Sequence, residues 1–274
     1  MTIESIIEVA DVYADESLDT IRQTLDPYIY NYLIAKYSVP LEAFWSSYLP
    51  PIKSKYAYVI VERRCHPNFK FILQNMAWAN PEMSVYIFCS LENIQFILSI
   101  LGDKQKNYNI CEYFTTTATR EEGKEEYNKL LTSSKFYDVI DAEYLLTMQM
   151  DVIIRKKIPE SIFCGDYWGA PWAWKSNLPG GGGATIRKIS TMRIICKESS
   201  DGKHAEDAWI CDAICKDISY TFPSLEFRAN HIMESIPVND PILLHQFWTF
   251  YNQYLEMNKE SRCNYWSHLL TINI

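Results

Sequence analysis

No stretch of the 274 residues approaches the roughly twenty consecutive apolar positions that a membrane-crossing helix needs. Nor does the chain open with the basic and then apolar pattern of a secretory leader, because Met1-Thr2-Ile3-Glu4-Ser5 is acidic. These two absences lead us to expect a soluble, cytoplasmic protein. Excess positive charge is missing too, since 26 Lys and Arg face 34 Asp and Glu for a net charge of −8. That excludes the broad electropositive field on which nucleic-acid binding depends and leaves only local pockets for small anions. The short basic stretch Arg155-Lys156-Lys157 reads as a solvated strand exit. No C-x-x-C pair occurs among the eight cysteines, and Cys211 and Cys215 read as small hydrophobes on a helix rather than as zinc ligands. Glycine is scarce, at 9 residues, yet four of them stand together at 180–183.

What is present is the composition of a packed globular protein, with 48% hydrophobic and 14% aromatic residues and no long polar tract. The length suits one large α/β domain. Residues 1–51 carry apolar positions at helical spacing (Ile21, Leu25, Tyr28, Tyr32, Leu33) and run up to Pro50-Pro51, which predicts a helical N-terminal extension ahead of a domain over 52–274. Short β-prone runs at Tyr56–Val61, Ser84–Cys89 and Tyr108–Phe114 then alternate with helical stripes at Asn68–Ala79, Glu92–Leu101 and Lys124–Leu131. Such alternation predicts a mainly parallel, Rossmann-like sheet with helices on both faces. Tyr144–Ile154 reads as one buried strand carrying Asp151 to a sheet edge, and further helices are expected near Ile189–Cys196 and Asp207–Cys215.

In sheets of this kind ligands bind beyond the carboxyl ends of the strands, where Glu62-Arg63-Arg64 and Asp151 fall. Guanidinium groups bind phosphate oxygens in pairs, so Arg63 or Arg64 is a candidate for a nucleotide, with a surface ion pair as the plain alternative. The two-residue strand period places Gln149 on the face of Asp151. Taken alone, Asp151 fits a turn cap as well as a ligand. The run Pro179–Arg187 is no phosphate loop, because no lysine follows the last glycine in register. Its glycines, Gly182 and Gly183 among them, permit close backbone approach to a sugar, and Thr185 and Arg187 right behind them favour a structured turn over a flexible linker. Trp172 is a candidate platform for a sugar face, and Glu206-Asp207 by itself reads as an acidic helix start.

Four segments together, Val61–Pro67, Tyr127–Leu131, Gln149-Met150-Asp151 and Asp166–Trp172 with the glycine run behind it, followed by Glu206-Asp207 and His245, resemble the DUF5672 group of glycosyltransferase-like proteins in the GT-A nucleotide-sugar superfamily. The resemblance spans about Tyr56 to His245. It departs from the family pattern at Gly181, where Asn is usual, and at Gln149, which removes the first carboxylate of the D-x-D metal motif. It implies a GT-A-like fold and a hexosyl transfer from a nucleotide sugar, a UDP-sugar first, to a hydroxyl of a glycan or other acceptor. It further implies Mn²⁺ or Mg²⁺ held by Asp151 and His245, Asp207 as the base on the acceptor hydroxyl with Glu206 orienting the acceptor, and inversion at the anomeric carbon. A half-buried histidine bonded to a carbonyl is the plain alternative for His245. The rival reading is a non-catalytic nucleotide- or glycan-binding protein. A sugar nucleotidyltransferase would place a glycine-rich loop where Glu62-Arg63-Arg64 stands.

Overall fold

The computed structural model describes residues 1–114 and 119–274. Thr2 and Ser5 form a capping box that starts helix α1 (Ile3–Val12), and Ser17 caps α2 (Leu18–Ser47) through the Thr20 N–H. Ile21, Leu25, Ile29, Leu33, Tyr37 and Leu41 form a buried stripe at four-residue spacing along α2. The helix ends before Pro50-Pro51, as predicted, but it also runs through Pro27 and Pro40. Tertiary packing of the stripe outweighs the missing backbone donors there.

Strand β1 (Tyr56–Val61) follows, then α3 (Phe69–Ala79), β2 (Ser84–Ser90), α4 (Ile94–Leu101), which ends at Gly102, and β3 (Asn109–Phe114). A second capping box, Thr119 with Glu122, opens α5 (Arg120–Leu131), and α6 (Ser134–Asp138) leads to β4 (Tyr144–Thr147). The predicted strand over Tyr144–Ile154 is broken. Val152 N donates to Gln149 O, and Asn68 Nδ2 takes the Met150 carbonyl, so the chain turns at 149–152 and starts β5 (Val152–Ile154) in another sheet. Asp151 therefore sits in a turn between two sheets, not at a strand edge. After β6 (Tyr167–Ala170) comes β7 (Gly181–Lys188), so the glycine run is a strand, where the sequence reading expected a turn. The remaining elements are α7 (Ile189–Ile195), α8 (Glu206–Lys216), α9 (Leu225–His231), β8 (Ile232–Met233), β9 (Leu243–His245), a 3-10 segment at Phe247–Tyr254, and α10 (Lys259–Leu269).

The main sheet has the order β3-β2-β1-β4-β7-β6, parallel from β3 to β4, with β7 antiparallel to both neighbours; the small sheet is β5-β9-β8. This is the mainly parallel α/β architecture predicted. The two-residue period of β1 divides its side chains, Tyr58 and Ile60 facing one core and Ala57 and Val59 the other. The first core is closed by α1, α2, α3, α10 and the small sheet, the second by α5 to α8. Residues 1–51 thus share a core with the sheet. Cys211 is buried in the second core while Cys215 is exposed. No helix of the described residues is long and apolar enough to cross a membrane.

Candidate active site

A cleft of about 990 Å³ opens at the carboxyl ends of β1 and β4. Its floor begins with the loop after β1. Glu62 is buried and accepts three hydrogen bonds from Arg64, from the backbone N–H, Nε and Nη2, each at 2.8 Å. Asn93 Nδ2 donates to the carbonyls of Glu62 and Arg64, and Ser90 Oγ donates to that of Arg63. The loop is therefore rigid, and both arginines line the cleft. The Arg63 guanidinium lies flat on α5 at Gly123, where an added Cβ would come within 2.3 Å of it.

The turn after β4 brings Gln149 and Asp151 to the same cleft. Gln149 Nε2 donates to Tyr127 OH at 2.8 Å, and its backbone N–H donates to the Gly183 carbonyl. Asp151 faces the histidine that ends β9, with His245 Nε2 3.4 Å from Asp151 Oδ1 and His245 Nδ1 3.2 Å from Glu234 Oε1. The Gln246 amide meets Asp151 Oδ2 at 2.5 Å and His245 Nε2 at 2.9 Å. Gln246 adopts φ 47°, the only left-handed non-glycine among the described residues, a strain that aims its side chain at both groups. Burial alone would hold His245 neutral, but the flanking Asp151 and Glu234 carboxylates raise it to about 10. Burial pushes Asp151 up, and His245, Gln246 and Arg22 outweigh that to hold it below the ordinary aspartate value.

The glycines of β7 are required by this histidine. Gly182 has φ 87°, and an added Cβ would lie 2.8 Å from His245 Nδ1; at Gly183 it would lie 2.6 Å from Nε2. Gly183 N–H lies 3.2 Å from both ring nitrogens, across the imidazole. On the other side, Gly182 N–H donates to Asp207 Oδ2 at 3.0 Å, while Ala208 N–H holds Oδ1 at 2.8 Å. The β7 backbone is therefore a shared wall between the His245 and Asp207 centres.

Glu206 has both carboxylate oxygens bonded to Arg187 Nη2, at 2.9 and 3.1 Å, and its N–H donates to Asn128 Oδ1. Arg187 is fully buried and also donates to Thr185 Oγ1 and Tyr137 OH. Glu206 is thus committed to anchoring the start of α8, which sets the position of Asp207, rather than reaching outward to an acceptor. Trp172 is buried beneath Gly181, with its indole parallel to Trp174 at 6.3 Å, and it is absent from the cleft lining. Gly182 lines the cleft, whereas Gly183 stands behind it against His245.

The sequence reading did not single out Glu234, Gln246 or the side of α2 that closes the cleft. Gln246 follows His245 directly, but its left-handed backbone leaves no mark in the sequence. Glu234 reaches His245 only because β8 pairs with β9.

A divalent ion bound by two donors at adjacent corners, about 2.1 Å from each, separates them by about 3 Å. Asp151 Oδ1 and His245 Nε2 approach that spacing as an ion pair, and Nε2 becomes a metal donor once the imidazole gives up its proton. The pair fits two corners of an ion site. Among the described residues no group of three such side chains is arranged to hold an ion.

Residues 111–245 match the family model described as a protein of unknown function, DUF5672. The resemblance to DUF5672 is thereby borne out from Tyr127 onward, while Val61–Pro67 lies outside the matched segment. No curated protein matches the chain significantly. Among solved structures, the apo form of mouse xyloside xylosyltransferase 1 aligns at 8% identity and TM-score 0.46, over 70% of this chain and 97% of that one. The PaToxG glycosyltransferase aligns at 13% identity and TM-score 0.33, over 70% and 79% of the two chains. The 4-diphosphocytidyl-2C-methyl-D-erythritol synthase of Anaerococcus prevotii aligns at 10% identity and TM-score 0.33, over 52% and 74%.

Proposed function

Starting from a DUF5672 domain over residues 111–245, we propose that the protein is a glycosyltransferase of GT-A-like fold. It moves a hexose from a nucleotide sugar, a UDP-sugar first, to a hydroxyl of a glycan acceptor. One observation carries this reading: Asp151 and Asp207 line a single cleft with Gly182 of β7 between them and Arg63 and Arg64 at its floor, and His245 stands buried behind Asp151.

The arginines take phosphate oxygens of the donor. Asp151 Oδ1 and His245 Nε2 would hold Mn²⁺ or Mg²⁺, and an ion bound there would supply positive charge for the departing diphosphate. Each Asp207 oxygen accepts one N–H and keeps a second lone pair, so the carboxylate is oriented and still able to take a proton. As the acceptor oxygen bonds to the anomeric carbon, its proton passes to Asp207, and the bond from that carbon to the phosphate oxygen breaks with its electrons leaving on the nucleoside diphosphate. Attack in line with that bond inverts the anomeric carbon. Glu206 acts through Arg187 as a positioning residue.

The thermal stability of wild type and Asp151→Ala, with UDP, GDP, CMP and dTDP and their sugars, each with and without Mn²⁺, tests the donor site. We expect a manganese-dependent rise in Tm for one nucleotide class, lost in Asp151→Ala. No shift with any nucleotide removes the donor site from the account. A shift without turnover on any acceptor moves the reading to a non-catalytic nucleotide-binding protein.

A further inference from the structure

One wall of the cleft comes from outside the family-matched residues. A single face of α2 forms it, with Arg22, Asp26 and Tyr30 at four-residue spacing and Gln23, Pro27 and Asn31 beside them. The Trp248 indole N–H fixes Asp26 by donating to Oδ1 at 2.6 Å, which leaves Oδ2 without a hydrogen-bond partner among the described residues. Pro27 has no N–H to give the Gln23 carbonyl four residues back, so that acceptor lacks its usual partner on the same face. Arg22 contributes a guanidinium tethered at one end to Asp19.

A carboxylate oxygen, a leftover carbonyl and a guanidinium on two adjacent helical rows complement a ligand that both donates and accepts hydrogen bonds at neighbouring positions, as sugar hydroxyls do. A phosphate has no proton to offer Asp26, and its charge would oppose the carboxylate. The place within the cleft is set by packing: Tyr30 OH on this face reaches the Val152 carbonyl, next to Asp151, at 3.5 Å, and Trp248, which holds Asp26, stands three residues after His245. The α2 face therefore lies at the diphosphate end of the cleft.

We infer that α2 forms the subsite for the sugar ring of the donor, with Asp26 and Arg22 as specificity-determining residues that bind its hydroxyls. This rests on the glycosyltransferase reading. The sugar presented at that end is the one still attached to the diphosphate, so α2 selects the group to be transferred while the DUF5672 segment holds the machinery that transfers it.

Titration calorimetry with UDP, UDP-glucose, UDP-galactose and UDP-N-acetylglucosamine tests the assignment, on the full chain and on Asp26→Asn and Arg22→Ala. Should another nucleotide be the one that stabilises wild type, its diphosphate and sugars replace these probes. Asp26→Asn keeps an oxygen for Trp248 but puts an N–H donor where the free acceptor was. Wild type is expected to bind one sugar nucleotide more tightly than the bare diphosphate, and each substitution to weaken that sugar nucleotide about tenfold while the diphosphate stays within about twofold. Equal losses for the diphosphate and its sugar would overturn the inference by placing α2 against the nucleotide. Unchanged binding would overturn it by making the α2 face structural. Wild type that binds the diphosphate no more weakly than every sugar nucleotide overturns the sugar subsite alone, whereas wild type that binds none of them overturns the proposed function and this subsite with it.

Discussion

Asp26 carries a cost that a purely structural residue would have been free to shed. Burial and the nearby Asp151 carboxylate push it up to about 6, against the Trp248 hydrogen bond and the charges of Arg22 and His245. An acid raised in the folded state binds its proton more tightly there than in the unfolded chain. Its contribution is therefore fully present below the unfolded pKa near 4 and is lost as pH rises to the folded value near 6. Asp26→Asn removes the ionisation and keeps an acceptor for Trp248, so it is expected to be more stable than wild type by about 1–3 kcal/mol at pH 7.5. The gap should close below pH 4. Urea unfolding across that range checks it; a variant less stable than wild type at pH 7.5 would show that the charge is compensated in the fold. Stabilisation on removing a polar group is the pattern of a residue kept for binding. Single residues were unevenly legible in the sequence. The two arginines stood out because charge at a strand end is visible there, and Asp151 and Asp207 because the family resemblance gave a turn residue and an acidic helix start a role. Asp26 did not, because a lone acid on a helix reads as a solvated face until the tertiary fold buries it. The roles read for Glu206 and Trp172 changed once Arg187 and the β7 strand were seen to enclose them.

Among the elements, α2 departs most clearly from what its sequence would dictate alone. Its two prolines each remove a backbone donor, yet only Pro27 lies on the cleft, while Pro40 is exposed on another part of the helix. Replacing proline in a helix interior recovers up to about 3 kcal/mol, offset by about 0.4–1 kcal/mol of restored freedom in the unfolded chain. Pro27→Ala and Pro40→Ala are both expected to stabilise the protein by about 1–2 kcal/mol in urea unfolding. Only Pro27→Ala should weaken sugar-nucleotide binding, because its new N–H satisfies the Gln23 carbonyl. Loss of affinity in both variants would trace the effect to helix shape instead. The helix itself was legible from the four-residue spacing of its apolar stripe, as were β1, β2 and the helices between them. Two elements were misread for definite reasons. A mostly apolar run, broken only by Thr147, Gln149 and Asp151, hid the turn at 149–152, since both flanking strands are fully buried. The glycine run suggested a turn by composition, yet β7 tolerates it because the His245 ring and Asp207 carboxylate occupy the space that side chains would fill.

At the scale of the whole molecule, the cleft is assembled from distant stretches: α2, the loop after β1, the turn after β4, Gly182 of β7, the start of α8 and Gln246 just after β9. The family-matched segment holds the Asp151, Asp207 and His245 centres, and the preceding residues supply the arginines and the α2 wall. The sequence conveyed the sheet and the acidic centres, but not that residues before Pro50 close the site, because that contact depends on α2 packing into the core shared with α3 and the small sheet. The central claim is that Asp207 acts as a base across this cleft from the Asp151 centre. Release of nucleoside diphosphate from nucleotide sugars, in the presence of Mn²⁺ and a panel of glycan acceptors, should be measured for wild type, Asp207→Asn and Asp151→Ala. The account predicts acceptor-dependent release by wild type, a fall of about 100-fold or more in Asp207→Asn with sugar-nucleotide binding retained, and loss of both binding and release in Asp151→Ala. Full turnover by Asp207→Asn would contradict it.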